Sequence, residues 1–331
     1  MTRPRIGLAL GSGSARGWAH IGVIDALTEA GIRPDIVCGA SMGALVGAAH
    51  VAGRLAELRQ WAGTATWRTI ARLTDLRLTG GGLISGRQVM SFLQGMGIGE
   101  PIESYATHYA AVATDMATGR EIWLQSGPIH EAVRASIAIP GIFSPARMDG
   151  KWLLDGGLSN PIPVSVCRAL GADVIIAVNL NGELVGRRFT EPEPPDETRP
   201  SRLSVEVVRR MLGQWPITLP KTLPATLRRR PGTVSAPPES EPALAPAPAD
   251  ETPPPPRESV SAPGYFGVLA TASNIMQDHI TRARLAGEPP HVMLLPRLRS
   301  IGLMEFNRAE EAIAEGRSCV EQALPTLRRY L

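Results

Sequence analysis

Residues 35–50 read Asp35-Ile36-Val37-Cys38-Gly39-Ala40-Ser41-Met42-Gly43-Ala44-Leu45-Val46-Gly47-Ala48-Ala49-His50. Asp35 to Cys38 has the short apolar run of a buried strand, and Ala44 to Arg54 reads as a small-residue helix able to pack close to a sheet. Between them, Gly39-Ala40-Ser41-Met42-Gly43 has the Gly-x-Ser-x-Gly form in the strand–turn–helix setting that a nucleophile elbow requires. Small residues two positions either side of the serine let strand and helix approach without clashing. The helix N-terminus then aims its free N–H groups at the serine oxygen and its surroundings. Ser41 is the candidate nucleophile, and Gly39 and Gly43 are the elbow glycines.

Upstream, Ile6 to Leu10 is another apolar strand-like run, ending in Gly11-Ser12-Gly13-Ser14-Ala15-Arg16-Gly17. Trp18, Ile21, Ile24 and Leu27 follow at three-residue steps, one face of a helix that Gly31 stops. A glycine-rich turn at a strand-to-helix transition lets backbone N–H groups converge on negative charge. A dinucleotide fingerprint would need its third glycine one residue before Gly17, and a phosphate loop would need Gly-Lys-Ser/Thr. An oxyanion hole fits the loop better, given the serine elbow on the next strand.

Downstream, Ala110 to Thr114 and Glu121 to Leu124 flank a turn and suggest a hairpin. Trp152 to Leu154 and Asp173 to Val178 are further candidate strands, with a helix over Pro163 to Leu170 between them. The alternation of strand and helix is that of an α/β fold with a largely parallel sheet. Asp155-Gly156-Gly157 directly follows one of these strands, which would set the aspartate at the sheet's rim. Alone it reads rather as a solvated turn residue. Its company gives it meaning.

Near Gly186 the composition changes: residues 186–262 hold 17 of the 30 prolines, ending in Pro253-Pro254-Pro255-Pro256. Such a segment buries too little apolar surface to offset its ordering entropy, so a mostly disordered insertion is expected there. Within it, Leu203, Val207, Val208, Met211 and Trp215 would line one helical face beside Arg209 and Arg210, a pattern suited to docking on the protein's own core or to an anionic membrane surface, if this stretch is ordered at all. Helical character returns after Pro263 through Leu285, then a strand at His291 to Leu295 and a last helix over Met304 to Leu327. The expected organisation is residues 1–185 and 263–331 as two parts of one domain, interrupted by 186–262.

The bulk numbers exclude several classes. The chain is 44% hydrophobic and 20% charged, enough for a buried core. A net charge of +3, with aromatics at 5% and no basic run interleaved with them, argues against nucleic acid as a partner. Cys38, Cys167 and Cys319 are far apart and fit neither a zinc site nor a disulfide framework. No signal-like stretch precedes the first strand. Ile36 to Gly53, the nearest approach to a membrane span, is broken by Gly39, Ser41, Gly43, Gly47 and His50, whereas a span needs about 20 predominantly apolar residues. A cytoplasmic protein, peripheral at the membrane at most, is the expectation.

The three motifs, with Arg134-Ala135-Ser136-Ile137-Ala138-Ile139-Pro140-Gly141-Ile142-Phe143 and Asn160-Pro161 between and after them, resemble the patatin-like phospholipase family. The likeness covers nearly all of the chain outside the proline-rich stretch. It is strongest to the bacterial cytoplasmic branch related to the catalytic domain of neuropathy target esterase. It implies a three-layer α/β/α sandwich and a serine–aspartate dyad, with Ser41 as nucleophile and Asp155 as base. The loop of Gly11, Gly13, Ser14, Ala15, Arg16 and Gly17 would supply oxyanion N–H groups, centred on Gly13, Ser14 and Ala15. Gly156 and Gly157 complete the acid motif. Ser12 and Ser14 depart from the glycines that family members often carry. The implied partner is a lipid or other acyl-ester substrate, with no cofactor and no metal.

The histidines are consistent with a dyad. A triad hydrolase of the α/β type places its histidine after the acid. Only His279 and His291 follow Asp155, one in a helix-like stretch and one opening a strand. His20, one turn beyond the glycine-rich loop, reads as structural, and His50, His108 and His130 have no companion metal ligands. An aspartate makes a useful base near neutral pH only when partly desolvated, which the apolar residues before Asp155 can supply. A soluble carboxylesterase or thioesterase shares these residues, as does a regulatory protein that keeps the fold without turnover. Oligomeric state is not legible.

Overall fold

The computed structural model describes residues 3–65, 84–182 and 265–330. Eight strands form one sheet. They are β1 (Ile6–Leu10), β2 (Ile36–Ala40), β3 (His108–Asp115), β4 (Glu121–Leu124), β5 (Ala146–Met148), β6 (Lys151–Asp155), β7 (Val174–Val178) and β8 (Val292–Leu294). Strands β8, β7, β1, β2 and β3 lie side by side and parallel. Strands β4, β5 and β6 add antiparallel pairings.

The helices are α1 (Ala19–Glu29), α2 (Met42–Val51), α3 (Leu55–Thr64), α4 (Arg87–Gly95), α5 (Ile129–Ser136), α6 (Val164–Ala169), α7 (Tyr265–Gly287) and α8 (Ala309–Leu327). Every residue of β1, β2 and β7 is buried, as expected of parallel strands covered on both faces. Alternation sorts their side chains into two cores. Leu8, Leu10, Val37 and Ile176 pack with Ile21 and Ile24 of α1, Val46 of α2, and Ile313 and Val320 of α8. Ala9, Cys38, Ile175 and Ala177 face the other way, onto Val164, Val166 and Cys167 of α6, with Leu285 of α7 at the margin. The result is the three-layer α/β/α sandwich that the resemblance implied.

Strand β3 has two edges and three partners, and this decides where the motifs meet. Strand β2 pairs with His108–Val112, β4 with Ala111–Thr114 and β6 with Ala113–Asp115. Because β4 overlaps both others in register, it must hold one edge alone, so β2 and β6 share the other edge end to end. Strand β2 runs up to Ala40 opposite Val112, and β6 runs down to Asp155 opposite Ala113. The residue after Ala40 and the last residue of β6 therefore converge on one point.

Several expectations need revision. The aspartate's strand is not buried throughout but an alternating one: Trp152 is 52% exposed, while Asp155 is 3% exposed and lies inside rather than on the rim. The glycine-rich loop opens as a 3-10 turn, Ser14–Trp18, before α1. Helix α8 starts at Ala309, five residues after the expected Met304, because a 3-10 turn at Phe306–Arg308 intervenes. Helices α3, α4 and α5 and strand β5 are not expected from the sequence, because their apolar patterns are short or weak. The 186–262 stretch, including Leu203 to Trp215, lies outside the described residues.

Candidate active site

Ser41 sits between β2 and α2 at φ 55° and ψ −122°, a backbone strained for a residue with a side chain. Close packing holds it there. A Cβ on Gly43 would strike the carbonyl of Leu10, one on Gly39 the Gly43–Ala44 peptide, and one on Gly17 the Met42 side chain. The N–H of Ser41 donates to Ser136 Oγ at 2.9 Å, and that hydroxyl donates to Val112 O at 2.6 Å. Ser136 thus ties the elbow to β3 from beneath. Ser136→Ala leaves the buried Ser41 N–H without an acceptor, and urea denaturation is expected to show a loss of about 1–3 kcal/mol.

Asp155 is held on all sides. Its N–H donates to Ala138 O at 2.9 Å, and its carbonyl accepts from Thr114 Oγ1 at 2.8 Å. Carboxylate Oδ1 accepts from Gly157 N at 2.7 Å, while the buried Oδ2 completes no hydrogen bond. A Cβ on Gly156 would collide with the carbonyl of Val112, so glycine is required for the chain to leave β6 across β3. Burial pushes the Asp155 pKa up to about 6, against the Ser41 hydroxyl and the Gly157 N–H, which lower it. The Ser41 hydroxyl is thus near enough to act on the carboxyl without the alignment of a full hydrogen bond to Oδ2. Contacts of this kind tighten when substrate fills a site.

The glycine-rich loop lies beside the elbow, on the neighbouring strand, and its amides divide into two sets. Those of Gly11, Ser12, Ala15 and Arg16 donate to Val178 O, Pro161 O, Leu303 O and Gly13 O. The amides of Gly13 and Ser14 have no acceptor among the described residues. Of the loop residues named from the sequence, Gly11, Ala15 and Arg16 have their N–H groups engaged, and Gly17 serves the close approach to Met42. Ser14 stands at φ 51°, a left-handed conformation that favours glycine. In the first turn of α2, Ala44 N donates to the Ser41 carbonyl at 2.9 Å, whereas the amides of Met42 and Gly43, beside Ser41, have no acceptor among the described residues.

Residues far along the chain brace the loop, and no local signal announced them. The buried Arg16 side chain donates from Nε to Ile301 O at 2.8 Å, and Trp18 Nε1 donates to Phe306 O at 3.2 Å. Ser12 Oγ donates to Gln277 Oε1 at 2.7 Å. Arg134, in the connecting motif, holds the carbonyls of Ser85 and Ser144. Sequence reasoning used that motif only as a family marker. Its Ser136 and Ala138 in fact hold the backbone N–H groups of Ser41 and Asp155.

Among the described residues, no histidine hydrogen-bonds to Ser41 or Asp155. His20 is fully buried against Gly11 O at 2.8 Å, and burial lowers its pKa to about 4, so it remains neutral and structural. His291 Nδ1 accepts from Ile175 N at 2.9 Å, and His279 is exposed on α7. Cys38 and Cys167 are buried, Cys319 is half-buried, and all three are free thiols. No cluster of three or more His, Cys, Asp or Glu side chains suited to a metal occurs among the described residues. Nor is any described helix long and apolar enough to cross a membrane.

Comparison with known proteins gives the family. Residues 8–168 match the Patatin family, patatin-like phospholipase. An uncharacterized NTE family protein of Mycobacterium tuberculosis is 37% identical over 334 residues, 97% of this chain and 91% of that one. Mouse patatin-like phospholipase domain-containing protein 6 is 32% identical over 190 residues, 55% of this chain but 14% of that protein. Among solved structures, VipD from Legionella pneumophila aligns with 63% of this chain and 53% of its own, at 14% identity and a TM-score of 0.34, too distant to carry an argument. With a near-full-length relative and the elbow, loop and acid motifs all in place, the chain belongs to the patatin-like phospholipase family, among its NTE members.

Proposed function

We propose that the protein is a serine hydrolase that cleaves acyl esters of lipids, of phospholipase or lysophospholipase type, through a Ser41–Asp155 dyad. Family membership supports lipid acyl hydrolysis. The observation that carries the dyad is a strained, buried serine against a buried carboxyl whose Oδ2 is unengaged and whose pKa is raised to about 6. As Ser41 Oγ attacks the acyl carbonyl, its proton passes to Asp155 Oδ2. The oxyanion of the tetrahedral intermediate is received by the Gly13 and Ser14 amides, each donor worth about 3–4 kcal/mol in favourable cases. The carboxyl then returns the proton to the leaving alcohol. In the second half, Asp155 takes a proton from water as it attacks the acyl-serine; when the tetrahedral intermediate collapses, the carboxyl returns that proton to Ser41 Oγ and the fatty acid is freed.

Labelling with a fluorophosphonate tests the reading. Serine oxygen bonds to phosphorus, fluoride leaves, and the modified peptide should contain Ser41. Hydrolysis of phospholipid and lysophospholipid, with weaker action on short esters, is the expected substrate pattern. Activity confined to short esters would make the protein a soluble-ester hydrolase instead. A folded protein that neither labels nor turns over any ester would favour a non-enzymatic role on the same fold.

A further inference from the structure

Ser12 is fixed at each of its polar groups. Its N–H donates to Pro161 O at 2.9 Å, its carbonyl accepts from Asn181 Nδ2 at 3.4 Å, and its hydroxyl donates to Gln277 Oε1 at 2.7 Å. Gly13 and Ser14, whose amides are unengaged, follow directly, so any swing of Ser12 displaces both. Gln277 reaches this loop from 265 residues further along the chain, on α7.

The other end of the same carboxamide stands against the base. A Cβ on Gly157 would lie 2.9 Å from Gln277 Nε2 and 2.9 Å from Asp155 Oδ1, so both groups crowd the glycine whose N–H caps the carboxylate. Nε2 also donates to Ser273 Oγ at 3.2 Å, one turn earlier on α7. That bond keeps the amide's NH2 on the side of the carboxylate and its oxygen on the side of Ser12, the favourable order of partial charges. A single planar group therefore spans from the oxyanion loop to the acid loop, two segments that the sheet alone does not join.

We propose that Gln277 is a positioning residue that locks the oxyanion loop in register with the acid loop, acting through Ser12 on one side and Gly157 on the other. The inference rests on the serine-hydrolase reading above. Oxyanion donors act only when placed about 2.7–3.1 Å from the developing charge. A misplacement of about 1 Å can cost on the order of 10²-fold in rate. Losing the Gln277 bridge lets the Gly13–Ser14 turn drift relative to Asp155, which slows the chemical step while leaving substrate capture nearly intact.

The experiment is fluorophosphonate inactivation of the full chain, resolved into a saturating rate constant and a half-saturating concentration. Four proteins are compared: wild type, Ser12→Ala, Gln277→Leu and the double variant. Gln277→Leu should lower the saturating rate by about 10–100-fold with half-saturation changed by no more than about twofold. Ser12→Ala should show the same signature, and the double variant should be no slower than the slower single one, since both remove one link. A residue that merely stabilises α7 would shift the unfolding midpoint and leave the rate of the folded protein alone. An unchanged rate in Gln277→Leu, or losses that multiply in the double variant, would overturn the proposal. If Gln277→Leu does not fold, Ser12→Ala alone decides: a wild-type rate there overturns it equally. A wild-type protein that fails to label at all counts against the dyad itself, which separates the two failures.

Discussion

Ser41→Ala is expected to abolish both fluorophosphonate labelling and ester hydrolysis, a loss of about 10⁴-fold or more, while the protein keeps its fold. The change removes one oxygen from a residue that is 3% exposed and already packed on both sides by Gly39 and Gly43. Alanine adopts the φ of 55° with the same strain as serine, and the Ser136 Oγ acceptor for the backbone N–H remains. Stability should therefore move by no more than about 1 kcal/mol, whereas activity loses its covalent intermediate altogether. The measurement is turnover and labelling beside a circular-dichroism melt. Wild-type turnover by a folded Ser41→Ala protein would end the assignment of the nucleophile.

Asp155→Asn is expected to separate activity from stability. Asparagine keeps an oxygen for the Gly157 N–H but has no lone pair basic enough to take the serine proton. Acylation should fall by about 10²–10⁴-fold, and further if the pair acts as a unit. Gln substitutions at His279 or His291, neither of which hydrogen-bonds to Ser41 or Asp155, should cost far less. In wild type, activity should rise with pH through about 6 and level off above it, as Asp155 becomes ionised.

Stability should run the other way. Burial raises the folded-state pKa from 3.8 to about 6, so the folded chain holds this proton more tightly than the unfolded chain. The unfolding free energy therefore declines as pH climbs from about 4 to about 6 and stays lowered beyond that, by a penalty on the order of 3 kcal/mol. Asp155→Asn has no carboxyl to ionise and escapes this penalty. It should be more stable than wild type at pH 8 and lose the advantage near pH 4. Urea denaturation of both proteins across that range is the check, and parallel pH profiles would mean that the carboxyl is not held in a desolvated site. Below-optimum stability at the base is the expected companion of a catalytic carboxylate.

Local chemistry determined much of this protein at the level of sequence. The Gly39–Gly43 elbow, the Gly11–Gly17 loop and the Asp155–Gly157 acid motif each announce themselves because their backbone conformations admit few residues. The central strands announce themselves too: burial on both faces makes Ile6 to Leu10 and Val174 to Val178 continuously apolar. Short amphipathic elements such as α4 and β5 did not, since a few residues of mixed pattern do not distinguish helix, strand and loop.

Only the tertiary structure decided how the motifs meet. No local pattern shows that β6 runs antiparallel and stops where β2 stops, yet that head-to-head arrangement on one edge of β3 is what joins Asp155 to Ser41. Nor does the loop's sequence say which of its amides remain available. Val178, Pro161 and Leu303 claim three of them through carbonyls more than a hundred residues away and Gly13 O takes that of Arg16, whereas the amides of Gly13 and Ser14 have no acceptor among the described residues. The same holds for the depth at which Asp155 sits, and hence for its raised pKa. Backbone conformation is set by neighbours in the chain, whereas strand register, hydrogen-bond competition and desolvation are set by whatever the fold brings alongside.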